Sequence, residues 1–85
     1  MKQYGWNCEL VLADGETKRP VSVSMVWTAE TRNAVTIRDE ESGKMLVDER
    51  NLATPMPVMN ELQGKMPLHP DSARWLYNEM EPLME

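Results

Sequence analysis

The fold prediction depends on residues 4–28, which read YGWNCELVLADGETKRPVSVSMVWT. Asp14-Gly15 in the middle of this stretch predicts a two-residue turn, because Asp and Gly readily adopt the positive φ that a type I′ turn needs at both positions. Positions that pair across this turn sum to 29, so that Cys8 faces Val21. The stretch therefore predicts a β-hairpin with a defined register.

The side-chain pattern on either side of the turn supports the same hairpin. Alternate positions are apolar in both segments: Tyr4, Trp6, Cys8, Leu10 and Leu12 in the first, and Val21, Val23, Met25 and Trp27 in the second. A period of two is the pattern of a strand with one buried face. Turn and period agree on one register, which places all nine residues on the inward face of a sheet.

Two more strands continue the sheet. The polar connection 28–33 leads to a third strand at 34–38, with Val35 and Ile37 inward. A two-residue loop at Ser42-Gly43 would place Ile37 opposite Asp48 and so put a charge in the core. We therefore expect a three-residue loop at 41–43.

The three-residue loop gives the fourth strand its register. It places Ile37 opposite Val47 and Asp39 opposite Met45, and it puts Gly43 at the left-handed position that such loops require. The fourth strand then covers residues 44–49. It carries Lys44, Asp48 and Glu49, followed by Arg50, whereas the first strand carries mainly Glu9, so the first strand is the edge more open to an added strand.

The remaining third of the chain predicts helices. Pro57 can begin a short helix and Gly64 can end it, which places this helix at 57–63. A second helix over 70–81 starts at Pro70 and ends before Pro82. Its apolar stripe has helical spacing and consists of Ala73, Leu76, Tyr77 and Met80.

These signals predict an α+β protein with one domain, residues 1–85. A four-stranded antiparallel β-meander occupies 1–52, a loop with the short helix occupies 53–69, and a helix with a tail occupies 70–85. We expect the C-terminal amphipathic helix to cover one face of the sheet, since a sheet with one apolar face must bury it.

The composition disfavours several classes of function. Lys and Arg number 9 against 14 Asp and Glu, for a net charge of -5, whereas nucleic-acid and anionic-lipid binders cluster basic residues. There is one Cys, no apolar run long enough to span a bilayer and no signal-peptide pattern at the start. We expect a cytoplasmic protein that binds neither nucleic acid nor membranes.

The sequence offers little chemistry for catalysis or cofactors. Cys8 lies on the inward face of the first strand, where a thiol is usually an inert apolar group, and His69 lies between two prolines, where it either caps the following helix or is exposed. One Cys and one His cannot complete a zinc site, and Asp39-Glu40-Glu41 lacks the spacing of a calcium loop. Because no glycine loop suits a phosphate, we expect no cofactor, no metal and no enzymatic activity.

The function that remains is protein binding. We expect an adaptor, accessory subunit or inhibitor that binds another protein or a second copy of itself. The predicted contacts are Trp75, Arg74 and Tyr77 of the helix and Ser22, Ser24 and Thr36 of the outward sheet face. Trp75 has two interpretations, an interface anchor or a residue packed on the loop that holds Leu68.

Two alternatives differ in class. The first is an acidic decoy that blocks a nucleic-acid-binding protein, with carboxylates in place of phosphates; its residues would be Glu9, Glu16, Glu30, Asp39, Glu40 and Glu41. Strong salt dependence of binding would favour it. The second is a small enzyme that uses His69 with nearby carboxylates.

Overall fold

The computed structural model describes residues 1–85 as a four-stranded antiparallel sheet with two helices, an α+β fold. The strands follow in sequence order across the sheet, so β1 and β4 are its edges. The elements are β1 (Lys2–Val11), β2 (Lys18–Thr28), β3 (Arg32–Asp39), β4 (Met45–Leu52), α1 (Met56–Lys65), α2 (Pro70–Met80) and a 3₁₀ turn, Glu81–Leu83. No helix is long and apolar enough to cross a membrane.

The register of the first hairpin is confirmed, but its turn differs from the prediction. Cys8 pairs with Val21, as expected. The loop has four residues, because Leu12 N–H donates to the carbonyl of Thr17 at 2.8 Å. Of the two turn residues only Gly15 has a positive φ, 76°. Leu12 and Thr17 also sum to 29, so the longer loop leaves the strand register unchanged.

The side chain of Asp14 explains why the turn is not type I′. Its carboxylate accepts hydrogen bonds from the backbone N–H groups of Glu16 and Thr17, each at 2.8 Å. Asp commonly bonds to the backbone two or three residues on, and here Asp14 does so without a positive φ. Hydrogen bonds to the Asp14 side chain therefore stabilise a four-residue loop in place of the predicted type I′ turn.

The second predicted register is correct in the core and wrong at the loop. Ile37 pairs with Val47, and Gly43 has the expected positive φ, 75°. Met45, however, pairs with Arg38, and the predicted pairing of Asp39 with Met45 does not form. The extra residue on β4 makes a bulge, which keeps the apolar pair together while the strand end shifts.

The boundaries of both helices differ from the prediction. α1 is longer than the predicted 57–63, and α2 ends one residue before the predicted end at 81. Gly64 lies inside α1 instead of ending it, and Met66 N–H closes the helix on the carbonyl of Leu62 at 2.7 Å. Pro57 is the second residue of α1. α2 ends at Met80, and the chain continues through Pro82 in the 3₁₀ turn.

The core lies on the sheet face that carries the odd-numbered residues of β2. Both helices pack into it: α1 contributes Val58, Met59 and Leu62, and α2 contributes Leu76 and Met80. They meet fully buried strand residues, among them Leu10, Val21, Val35, Ile37 and Val47. Residues on the opposite face, such as Ser22, Ser24 and Thr36, are half-buried.

Candidate functional site

The edge of β1 is closed only at its C-terminal end. Val11 N–H donates to Ser72 Oγ at 2.9 Å, and the carbonyl of Val11 accepts from His69 N–H at 2.9 Å. Ala13 N–H donates to the carbonyl of Pro67 at 3.0 Å. The segment before and at the start of α2 therefore lies along this part of the strand.

The rest of that edge is open. Val11 directs its backbone groups away from β2, and in an antiparallel strand every second residue does the same. The positions that share this direction are Gln3, Gly5, Asn7 and Glu9, all of them exposed. None of the four has a backbone hydrogen bond outside the hairpin. We call their outward N–H and C=O groups the β1 edge.

Aromatic side chains beside the β1 edge are incompletely covered. Tyr4 is 37% exposed, although its position in the alternation faces the core. Trp6 and Cys8 are half-buried, whereas Val21 and Val23 on the neighbouring strand are buried. The indole N–H of Trp6 is buried beside the Cys8 thiol. The inward face of β1 before Leu10 is thus only partly covered.

A groove separates β1 from α2. It has a volume of about 360 Å³ and is lined by Cys8, Glu9, Asp71, Ser72 and Trp75. We call it the Trp75 groove. Trp75 is 42% exposed at its rim, so it is not packed away beneath the loop that holds Leu68. Burial, and to a lesser extent the charge of Glu79, raises the pKa of the Cys8 thiol, which keeps it neutral.

Arg74 and Tyr77 lie in a different groove, between α1 and α2. This helix groove has a volume of about 320 Å³, and its other lining residues are Met56, Met59, Asn60, Gln63 and Ala73. The Tyr77 hydroxyl donates to Glu81 Oε2 at 3.2 Å. Burial and the nearby Glu81 carboxylate raise the pKa of Tyr77, so the phenol stays protonated at neutral pH.

The three predicted sheet residues lie on the outward face. Ser24 pairs with Gly5 on one side and Thr36 on the other, and Ser22 pairs with Asn7. The six predicted contact residues therefore occupy three separate places: the Trp75 groove, the helix groove and the outward face. Only Trp75 lies against the β1 edge.

His69 is the N-cap of α2. Its Nδ1 accepts a hydrogen bond from Asp71 N–H at 3.1 Å, which satisfies one of the unpaired donors at the start of the helix. His69 lines none of the four cavities of the molecule. The capping interpretation of the sequence agrees with this position.

The acidic residues named for a decoy are dispersed. Asp39 is buried and bonds to Arg19 and Ser42, while Arg19 also pairs with Glu41 at 3.0 Å. Ser42 and then Arg19 hold the pKa of Asp39 below its usual value. Glu30 lies in the β2–β3 connection, at the opposite end of the sheet from the loop after β3. The arrangement does not form a continuous row of exposed carboxylates.

The other electrostatic feature is a pair of carboxyl groups between β4 and α1. A hydrogen bond with Glu61 raises the pKa of Glu49, and partial burial adds to the shift. Lys65 is close by and pairs with Glu61 at 3.2 Å. No group of three or more His, Cys, Asp or Glu side chains is arranged to hold a metal ion.

Sequence reasoning identified β1 as an edge but missed how much of it is open. The sequence contains part of the information about this open edge, because the hairpin register determines which residues of β1 direct their backbone groups outward. The contact of 67–72 with the end of β1 is a tertiary event with no local sequence pattern.

No family model, curated protein or solved structure matches this chain. The β1 edge, the two grooves and the outward sheet face are therefore the features on which a functional proposal can rest.

Proposed function

We propose that this chain is a non-catalytic protein-binding module, an adaptor, accessory subunit or inhibitor, that binds through the β1 edge. The observation that carries the proposal is the run of four outward residues without backbone partners beside Tyr4 and Trp75. An unpaired sheet edge is a template for an extended strand, and its main-chain hydrogen bonds supply affinity for one.

The two edges of the sheet differ in a way that favours β1. Along β4, Asp48, Glu49 and Arg50 are three consecutive charged residues, and the strand contains two irregularities in its pairing. Lys65 Nζ also donates to the carbonyl of Leu46 at 2.9 Å. Charges, bulges and covering groups are the devices that prevent strand addition. The open part of β1 has none of them between Gln3 and Asn7.

The Trp75 groove gives the edge its selectivity. In strand addition, the backbone bonds are common to every sequence, and pockets for alternate side chains choose among them. Cys8 and Trp75 line this groove together with the polar side chains of Glu9, Asp71 and Ser72. An aromatic side chain with a polar tip fits such a site. We propose that α2, with Leu76 and Met80 as its core contacts, covers this part of the sheet and positions Trp75.

A cytoplasmic location belongs to the same proposal. The chain has a single Cys, and Cys8 is half-buried as a free thiol. Free thiols persist in reducing compartments, whereas small secreted domains usually contain several disulfides.

Site-specific photo-crosslinking in the source cell tests the proposal. Benzoylphenylalanine replaces Tyr4 at the β1 edge in one variant and Thr36 on the outward face in the control. We expect a crosslinked protein from position 4 and little or none from position 36. Crosslinks only from position 36 would show that the outward face is the binding surface and that the edge is not.

A further inference from the structure

We propose that the β1 edge binds a second copy of this chain, with the two β1 strands antiparallel across a two-fold axis and the two sheets joined into one of eight strands. The inference rests on the proposed function and specifies its partner. An antiparallel two-fold pairing uses the same surface on both copies, so one open edge is sufficient to build it.

The limits of the β1 edge determine the register. The strand starts at Lys2, and beyond Glu9 the edge is occupied from Val11 onward by residues 67–72. The four open positions pair completely with their counterparts only when paired residue numbers sum to 12. Gln3 then lies opposite Glu9 of the second copy, and Gly5 lies opposite Asn7. In the neighbouring registers, where paired residue numbers sum to 10 or 14, one of the four open positions has no partner among the other copy's open positions.

The inward side chains fit this register. Tyr4 of each copy lies opposite Cys8 of the other, and Cys8 lines the Trp75 groove. The groove, about 360 Å³, has room for one aromatic ring. By symmetry, two exposed tyrosines fill two open grooves and each tyrosine covers the exposed Trp75 of the other copy. Both partly exposed aromatics become buried in one step.

The residues at the axis and on the outward face are also compatible. Trp6 lies opposite Trp6 of the second copy at a non-hydrogen-bonded position, where cross-strand aromatic pairs stabilise a sheet. On the outward face, the Gln3 amide can donate to the Glu9 carboxylate of the second copy. No two like charges are placed opposite each other.

Light scattering during size-exclusion chromatography tests the dimer with a matched pair of variants at Asn7. The wild-type chain should have twice its 9.8 kDa mass. The Asn7 N–H faces outward, so Asn7→Pro keeps the hairpin bonds and removes a bond from the interface. We expect Asn7→Pro to have half the wild-type mass and Asn7→Ala, which retains the N–H, to remain a dimer.

A wild-type monomer would overturn the inference, as would an Asn7→Pro variant that remains a dimer. These outcomes differ from failure of the proposed function. If the wild-type chain is a monomer but position 4 still crosslinks to another protein, the edge binds proteins and only the identity of the partner is wrong.

A disulfide test checks the register. In Tyr4→Cys, the new thiol should lie opposite the native Cys8 of the second copy, where Cα atoms are about 4.5 Å apart, within disulfide range. Residues 4 and 8 of one strand are roughly 13 Å apart and cannot bond to each other. We expect a covalent dimer on a non-reducing gel after mild oxidation, and none from Tyr4→Cys with Cys8→Ser. No covalent dimer from the single variant, or one from the double variant, would contradict the register.

Discussion

At the scale of single residues, two carboxyl groups have pKa shifts of opposite sign. Asp39 is stabilised as a carboxylate by Ser42 and Arg19. Glu49 is destabilised as a carboxylate by Glu61. Since a pKa that differs between folded and unfolded states makes stability depend on pH, the two groups should have opposite effects on the pH profile of unfolding.

For Asp39, the contribution to stability is lost in acid. Its folded pKa is lowered, so the contribution is fully present above the unfolded value, about 3.9, and decreases as the pH falls through the folded pKa. We expect Asp39→Asn to be less stable than wild type at pH 7 and to lose less stability on acidification. Urea unfolding at neutral and acid pH measures this difference, and equal pH profiles for the two proteins would contradict it.

For Glu49, the sign is reversed. Its folded pKa is raised, so its contribution to stability is present in acid and is lost as the pH rises through the folded pKa. We expect Glu49→Gln to be more stable than wild type at pH 7, with the difference disappearing below the unfolded pKa of Glu. Glu61→Gln removes the same neighbour of Glu49 but also the ion pair with Lys65, so we expect it to stabilise the protein less than Glu49→Gln. A loss of stability at pH 7 in Glu49→Gln would show that the pair does not repel.

At the scale of elements, the adjacent residues Trp75 and Leu76 of α2 have different roles. Leu76 is fully buried in the core, whereas Trp75 is 42% exposed in the groove beside β1. Successive helical residues point about 100° apart, so adjacent positions face different surroundings. The helix thus combines a core stripe with an exposed anchor.

Alanine substitutions should separate the role of Leu76 in the core from the role of Trp75 in binding. We expect Leu76→Ala to reduce the free energy of unfolding by about 2–5 kcal/mol, because it leaves a cavity in the core. We expect the Trp75→Ala monomer to have nearly the same free energy of unfolding as the wild-type monomer. We expect its dimer to be weaker. Denaturant titrations and light scattering of both variants measure the two effects. A Trp75→Ala variant that dimerises as wild type does would remove Trp75 from the binding surface.

How far the sequence predicts each element depends on whether local and non-local signals coincide. The first hairpin was predictable because turn residues and the apolar period both gave a sum of 29, which tolerates a longer loop. The β3–β4 loop was not, since a bulge keeps Ile37 opposite Val47 while moving Met45. Gly64 did not end α1, because its preference was overridden by the packing of Leu62 and the rest of the helix against the sheet.

The candidate site shows the same division. The exposure of Trp75 follows from its place off the apolar stripe, and the open β1 edge follows partly from strand order. Arg74 and Tyr77 were grouped with Trp75 by their closeness in sequence, but the structure places them in the groove between the helices. The closing of Val11 by Ser72, 61 residues away, could not be derived from local patterns.

At the scale of the whole molecule, the charge of -5 predicts how salt affects association. Two copies repel each other weakly, and the proposed interface consists of backbone hydrogen bonds and aromatic contacts. Salt screens the repulsion, so we expect the dimer to be unchanged or slightly tighter at high salt. Sedimentation at low and high salt measures this. Steep weakening with salt would indicate binding through charge and would favour the acidic decoy alternative.

The most direct test of the β1 edge as the dimer interface is amide hydrogen exchange, followed residue by residue by NMR. The N–H groups of Gly5, Asn7 and Glu9 face away from β2 and have no partner within the chain, so a second strand would protect them. We predict that they exchange slowly in the concentrated wild-type protein and faster on dilution. In Asn7→Pro, which has no N–H at position 7, we predict that the N–H groups of Gly5 and Glu9 exchange rapidly. Exchange as fast as that of loop amides at every concentration would contradict this account.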